Sequence, residues 1–129
     1  MDILGKQPSK PEASTTQRGQ VAESAALAYL QKQGLKLVER NYRTPGRGGG
    51  EIDLVMRAPD GTVVFVEVRP RAPAAFGGAA ASISATKQRR IVFAARSYLM
   101  RLRTPPPCRF DVVLVEDAIT WLKAAFDAG

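Results

Sequence analysis

The sequence contains no histidine and a single cysteine, Cys108. Without histidine the chain cannot form a Ser-His-Asp or Cys-His site, a histidine acid–base pair or an imidazole metal ligand. A single cysteine excludes an intramolecular disulfide and a zinc site with several cysteine ligands, and we interpret Cys108, which precedes a predicted strand, as a small apolar filler. Any bound metal ion must therefore have oxygen ligands, which favours Mg²⁺ or Mn²⁺.

Acidic residues are absent between Glu67 and Asp111. The basic residues of that interval are Arg69, Arg71, Lys87, Arg89, Arg90, Arg96, Arg101, Arg103 and Arg109. Together with a formal net charge of +7, this one-signed segment predicts a polyanionic partner, and a nucleic acid fits best. The alternative is a solvated basic helix face that only aids solubility.

Long apolar runs are also missing, and residues 1–17 are polar without the apolar core of a secretory leader. We therefore expect a soluble cytoplasmic protein with no membrane partner. A length of 129 residues suits one domain with a sizeable core. We assign residues 1–16 to a disordered tail and residues 17–129 to that domain.

Hydrophobic periodicity predicts an α/β domain of the order α-β-β-β-α-β, with a mixed sheet and a helix on each face. The predicted helices span 16–33 and 84–102, and the predicted strands span 35–42, 51–57, 62–69 and 109–115. Residues 119–126 fit either a short strand or a helical turn. The glycine-rich residues 44–50 and the Ala-, Gly- and Pro-rich residues 70–81 are predicted to be flexible.

Two strands carry an acidic residue within an apolar run, Asp53 in the first and Glu67 in the second. A buried carboxylate is costly unless a cation or hydrogen bonds compensate it. If the turn between the strands has three loop residues, Pro59 to Gly61, Asp53 lies opposite Glu67 and both carboxylates can share one cation. A loop of two or four residues would place them on opposite faces of the sheet.

Several motifs together resemble a known family. They are Arg18-Gly19-Gln20-Val21-Ala22-Glu23, Arg40-Asn41-Tyr42-Arg43, Gly50-Glu51-Ile52-Asp53-Leu54, Phe65-Val66-Glu67-Val68 and Arg109-Phe110-Asp111-Val112-Val113. In these motifs, and over nearly the whole chain after the tail, the sequence resembles the widespread bacterial YraN-like family. That resemblance implies the restriction-endonuclease-like fold of the PD-(D/E)XK superfamily, close to Holliday-junction resolvases.

The resemblance also implies a site. Asp53 and Glu67 match the ligands of a catalytic Mg²⁺ or Mn²⁺ ion, and Glu23 matches a helix glutamate that completes such sites. From its position alone, Glu23 is predicted to be a surface residue at the margin of the buried face of the first helix. The implied chemistry is metal-assisted hydrolysis of phosphodiesters.

One position departs from the superfamily pattern. Arg69 occupies the place of a catalytic lysine two residues after the glutamate. Arginine keeps the charge and can grip a phosphate with two hydrogen bonds, but it cannot act as a base. Lys87 on the second helix is the nearest lysine that could replace it.

Three hypotheses follow for the function. The first is a metal-dependent, resolvase-like DNA nuclease in which Asp53, Glu67 and Arg69 are catalytic. The second is a non-catalytic nucleic-acid-binding or scaffold protein that retains the fold. The third is that Asp53 and Glu67 form structural ion pairs with Arg69, Arg71 or Arg43. In the first two, the residues expected to contact nucleic acid are Arg71, Lys87, Arg89, Arg90 and Arg96. A homodimer is compatible with the first, because resolvase-like enzymes need two active sites for symmetric cutting.

Overall fold

A computed structural model describes residues 15–46, 48–70 and 83–128. Its elements, in chain order, are α1 (Thr15–Lys32), β1 (Lys36–Arg43), β2 (Glu51–Arg57), β3 (Val63–Arg69), α2 (Ala85–Leu99), β4 (Cys108–Val115) and β5 (Ile119–Phe126). The predicted mixed α/β order is confirmed, and the undecided last segment is a strand. Residues 1–14 of the predicted tail and residues 71–81 of the second predicted flexible segment lie outside the described residues.

The ends of the helices follow from local sequence signals. Gly34 adopts a φ of 99° after α1, a conformation that glycine reaches without a Cβ clash, and this ends the helix as predicted. Ser84 caps α2, because its Oγ accepts the backbone N–H of Lys87 at 3.0 Å. The helix ends at Leu99, three residues before the predicted end at Leu102, because residues 100–102 continue as tight turns.

The sequence-based interpretation of Cys108 as a small apolar filler is wrong. The thiol is exposed at the first residue of β4, so it does not fill apolar space. The position precedes the buried part of that strand, which begins at Phe110. A β-strand end extends beyond the core when no helix covers it, and sequence alternation does not reveal that limit.

The sheet has the order β1-β2-β3-β4-β5. Only β3 and β4 pair in parallel, because the connection through α2 is long enough to return the chain in the same direction. The β2–β3 hairpin has the predicted three-residue loop. Ala58 donates its N–H to the Thr62 carbonyl at 2.9 Å, and the paired residues run from Arg57 with Val63 to Leu54 with Val66.

The core has two layers, one on each face of the sheet. Ala22, Ala26 and Leu30 of α1 pack on one face, against the even-numbered residues Val64 and Val66 of β3. The other face packs against α2, where the cluster is Ile91, Val92, Ala94, Ala95 and Tyr98 with Val55, Val63, Phe65 and Phe110. Since successive strand residues alternate between faces, β3 supplies both layers, and six of its seven residues are buried. None of the helices in the described ranges is long and apolar enough to cross a membrane.

Asp111 on β4 is fully buried and has a structural role. Its carboxylate accepts hydrogen bonds from Arg109 Nε at 3.1 Å, Trp121 Nε1 at 2.8 Å and the Ala124 N–H at 2.9 Å. Ala124 has a φ of 51°, in a bulge where the β4–β5 register shifts. The carboxylate therefore holds an irregular strand against β4, and the left-handed residue costs about 1–2 kcal/mol without it.

We predict that Asp111→Ala lowers the free energy of unfolding by about 3–5 kcal/mol, because three part-buried hydrogen bonds to one buried carboxylate are lost at once. Urea denaturation followed by circular dichroism measures the change. Asp117→Asn, at an exposed position in the turn after β4, is the matched control and should stay within about 0.5 kcal/mol of the parent protein. Equal effects of the two substitutions would contradict the structural role of Asp111.

Candidate metal and nucleic-acid site

Asp53 and Glu67 meet at the open end of the β2–β3 hairpin. The backbone pairing of the two strands ends at Leu54 and Val66. Beyond that pair, the Asp53 side chain connects the two strands by a hydrogen bond. Its Oδ2 accepts the Val68 N–H at 2.8 Å, and its carboxyl group is hydrogen-bonded to that of Glu67. The hairpin register thus brings the two carboxyl groups into contact.

Burial makes this pair hold a proton. Burial and the charge of Glu67 raise the pKa of Asp53 to about 8, although the Val68 N–H opposes the shift. Burial also raises the pKa of Glu67, while the charges of Lys87 and Arg69 act against the increase. Two carboxyl groups in contact cannot both ionise without strong repulsion. At neutral pH, the two carboxyl groups therefore share one proton between them.

The two oxygens of Glu67 have different surroundings. Oε2 lies 3.6 Å from Arg69 Nη1 and 3.8 Å from Lys87 Nζ. Oε1 is buried and has no hydrogen-bond donor when both carboxyl groups are ionised. A proton shared with Asp53, a water molecule or a cation would satisfy that oxygen.

The hypothesis that Asp53 and Glu67 form structural ion pairs agrees with the structure only in part. Arg69 does pair with Glu67, whereas Arg43 Nε lies 3.8 Å from Glu51 Oε2 instead. Arg71 lies outside the described residues. Among the described residues, Lys87 rather than Arg43 is the second cation beside Glu67.

Glu23 approaches the pair from α1 but is held by other groups. Its Oε1 accepts a hydrogen bond from Asn41 Nδ2 at 3.0 Å and lies 3.6 Å from Arg40 Nη2. Asn41 has a φ of 52°, which asparagine tolerates better than most residues. The charge of Glu23 contributes weakly to the raised pKa of Asp53. Within the described ranges no three His, Cys, Asp or Glu side chains are grouped closely enough to hold a metal ion, so Glu23 as a third ligand stays a prediction.

A cleft of about 380 Å³ is lined by Lys87, the same residue that pairs with Glu67. We call it the glycine cleft, and its walls are Arg43, Thr44, Gly46, Gly48, Gly49, Gly50, Glu51, Lys87 and Arg90. A Cβ atom on Gly50 would collide with the Arg90 carbonyl, so the loop packs directly on the backbone of α2. Thr44 closes it by donating its N–H to the Gly50 carbonyl at 3.1 Å.

The glycine cleft was not predicted from the sequence. The sequence predicts only a flexible connection for residues 44–50. The signal that could have revealed the cleft is the run Gly48-Gly49-Gly50, since consecutive glycines allow a close approach of two backbones. The cationic wall comes from α2, which is distant in sequence.

The basic residues predicted to bind nucleic acid divide into two groups on α2. Lys87 and Arg90 line the glycine cleft, and Lys87 Nζ connects it to Glu67. Arg89 and Arg96 are exposed and line a second groove of about 580 Å³.

We predict that Asp53→Asn stabilises the metal-free protein increasingly as the pH rises from 5 to 8. The unfolded Asp53 loses its proton near pH 4, whereas the folded one keeps it to a pKa of about 8. Stability therefore falls across this window in the parent protein, but not when asparagine replaces the acid. Thermal unfolding in EDTA should show a midpoint about 4 °C higher or more for the variant at pH 8, and little difference at pH 5.

Asp60→Asn serves as the control for that measurement. Hydrogen bonding to Thr62 lowers the pKa of Asp60, so this group is ionised in both folded and unfolded protein throughout the window. The stability that ionised Asp60 contributes to the folded protein is lost only as the pH falls below about 4. The Asp60→Asn difference should therefore be constant from pH 5 to 8, and the same flat profile for Asp53→Asn would disprove the proton-sharing pair.

Comparison with known proteins identifies the family of this chain. Residues 22–115 match the model of the uncharacterised protein family UPF0102. A UPF0102 protein of Albidiferax ferrireducens is 72% identical over 116 residues, covering 89% of this chain and 91% of that protein. One from Paracidovorax citrulli is 62% identical over the whole of both chains, and one from Polaromonas naphthalenivorans is 65% identical over 91% of this chain and 83% of its own length. The matched residues include α2 and the strands that carry Asp53 and Glu67, and the chain belongs to the UPF0102 (YraN-like) family.

Proposed function

We propose that the protein is a divalent-metal-dependent nuclease that hydrolyses DNA phosphodiesters, with a resolvase-like site on a restriction-endonuclease-like PD-(D/E)XK sheet. The observation that carries this proposal is the buried contact between Asp53 and Glu67, in which Glu67 Oε1 lacks a donor once both groups ionise. Such a pair binds either a proton or a cation, and Lys87, whose Nζ lies 3.8 Å from Glu67 Oε2, also lines a cleft with Arg43 and Arg90.

The residues fit Mg²⁺ or Mn²⁺ better than a softer metal. All candidate ligands are carboxylate oxygens, which hard cations prefer. Asp53 and Glu67 would hold the ion, and Glu23 would approach from α1, directly or through water. A bound ion would polarise a phosphate oxygen and lower the pKa of a coordinated water molecule.

The basic groups around the pair would position the substrate. The Arg69 guanidinium is next to Glu67 and can hold the scissile phosphate with two hydrogen bonds. Lys87 Nζ lies 3.8 Å from the glutamate, nearly as close as Arg69. It would therefore supply the ammonium group of the lysine that the superfamily motif has at the position of Arg69. The glycine cleft, through Arg43 and Arg90, would hold a neighbouring phosphate of the same strand.

One observation favours the second function, a nucleic-acid-binding protein without catalysis. Arg69 and Lys87 already surround Glu67 Oε2 with positive charge. These cations compensate the glutamate without a metal and lower its affinity for one. A protein that had lost its metal could retain the fold and the basic cleft for binding alone.

Titration with Mg²⁺ and Mn²⁺, followed by cleavage assays on single-stranded, duplex and branched DNA and on RNA, tests the nuclease. Calorimetry with Mn²⁺ reports metal binding separately from activity. Asp53→Asn and Glu67→Gln should each abolish the calorimetric signal, because an amide cannot supply an anionic oxygen. Asp117→Asn, which removes one exposed carboxylate elsewhere, should leave it unchanged.

Substitutions of Arg69 distinguish the two functions. If the arginine holds the scissile phosphate, Arg69→Lys keeps or raises the cleavage rate, and Arg69→Ala lowers it by about 10²-fold or more. If the arginine has disabled the site, the parent protein binds DNA without cutting it and Arg69→Lys restores cleavage. Should neither protein cut any DNA or RNA structure with either metal, the nuclease proposal fails and the binding function remains.

We expect nucleic-acid binding to depend on salt through the glycine cleft. Lys87→Ala and Arg90→Ala should each weaken duplex binding and flatten the slope of log K against log salt by about 0.9. Fluorescence anisotropy between 50 and about 200 mM salt measures both quantities. Lys36→Ala removes an exposed charge on edge strand β1 and should change neither. Unchanged affinity and slope in both cleft variants would show that the basic face is only a solvated surface.

A further inference from the structure

The outward face of α2 carries an exposed aromatic side chain. Phe93 is 56% exposed, although its neighbours Val92 and Ala94 are buried in the core. Met100, two turns further along the same face, is 84% exposed. Isolated exposed apolar residues are common and need no explanation, so the surroundings of Phe93 decide whether it has a role.

Those surroundings are basic. Arg89 and Arg96 lie four residues before and three residues after Phe93, which places them on the same helix face. The three side chains line the 580 Å³ groove between α2 and the end of the chain. Asp127 is the acidic residue on the opposite wall. Arg89 Nη2 donates to Thr86 Oγ1 at 3.2 Å, and the Arg96 side chain is exposed.

An aromatic ring between two guanidinium groups matches the chemistry of a nucleic-acid strand with an unpaired base. Bases stack on aromatic rings, and arginines bind the phosphates on either side. A duplex cannot use the ring, because its bases are already stacked inside the helix. A second copy of the chain fits poorly, because a two-fold contact would bring Arg89 and Arg96 of both copies together.

We propose that Phe93 is a stacking platform for an unpaired base of the substrate, with Arg89 and Arg96 holding the adjacent phosphates. The inference rests on the proposed function and specifies its substrate class: a nucleic acid with a single-stranded segment. Six residues separate Lys87 from Phe93, a rise of about 9 Å along the helix. At 3.6 residues per turn the two side chains lie about 120° apart around the helix, so a strand that reaches both must curve around it. Arg90 lies between the two groups, so one strand can run from the platform into the glycine cleft.

Binding without catalysis tests this proposal. Fluorescence anisotropy in EDTA compares a labelled single-stranded oligodeoxynucleotide with a blunt duplex of the same sequence. Phe93→Leu keeps an apolar side chain but removes the ring, and we expect it to weaken single-strand binding about tenfold. Phe93→Tyr should retain the parent affinity, and the duplex affinity should stay within twofold for both variants.

Two further readouts separate stacking from charge. Fluorescence of 2-aminopurine in the single strand should be quenched on binding the parent protein and the Phe93→Tyr variant, but much less by Phe93→Leu. Arg96→Gln should flatten the single-strand salt slope by about 0.7, whereas Phe93→Leu should not alter it. Val21→Ala, at an apolar position of α1 that is 69% exposed, is the control and should change no readout.

The outcomes distinguish this inference from the nuclease proposal. Parent-like single-strand affinity of Phe93→Leu overturns the platform, whatever the cleavage assays show. Loss of self-association by Phe93→Leu in sedimentation, with unchanged single-strand binding, also overturns it and assigns the face to a dimer contact. A tenfold loss that is confined to the single strand supports the platform, even if the parent protein proves unable to cut.

Discussion

The register of the β2–β3 hairpin is the constraint on which the rest of the site depends. Because side chains alternate along a strand, one residue more or fewer in the Pro59–Gly61 loop would move every residue of β3 to the opposite face. The three-residue loop keeps Val63 and Phe65 under α2 and Val64 and Val66 under α1. The same register brings Asp53 into contact with Glu67. Packing of the core therefore specifies the geometry of the carboxyl pair, since the pair cannot shift unless both hydrophobic layers are disrupted.

The carboxyl pair is unfavourable for folding and is tolerated because its surroundings compensate it. Burial and mutual repulsion raise the pKa of Asp53 to about 8. The Val68 N–H, Arg69 and Lys87 offset part of that cost. By contrast, Asp111 is more deeply buried but has three donors around one carboxylate. Asp111 on β4 is therefore fully hydrogen-bonded and structural. Glu67 on the neighbouring strand β3 retains the capacity to bind a proton or a cation.

Helix α2 connects three parts of the molecule through three of its faces. Its inner face, with Ile91 and Tyr98, completes the core. Its flank packs against the glycine loop, where the absence of a Cβ on Gly50 allows contact with the Arg90 carbonyl. Its outer face exposes Phe93 between arginines. A single helix orientation therefore sets the distance between the carboxyl pair, the glycine cleft and the outer groove.

Much of the fold followed from the sequence by itself. Periodicity of apolar residues identified both helices and four of the five strands, and turn chemistry at Pro59-Asp60-Gly61 predicted the hairpin register, because these signals act over a few residues. The same reasoning placed Asp53 opposite Glu67. Sequence reasoning was wrong about the burial of Cys108, placed the end of α2 three residues too late and left open whether β5 is a strand. All three features depend on where segments distant in sequence cover the chain. Only the tertiary structure decided that Lys87 rather than Arg43 is the second described cation beside Glu67, that Glu23 is held by Asn41, and that Thr44 and the glycines at 46 and 48–50 form a cleft with α2. Those contacts join residues far apart in sequence, and their geometry is set by how the two helices pack on the sheet, which no local pattern encodes.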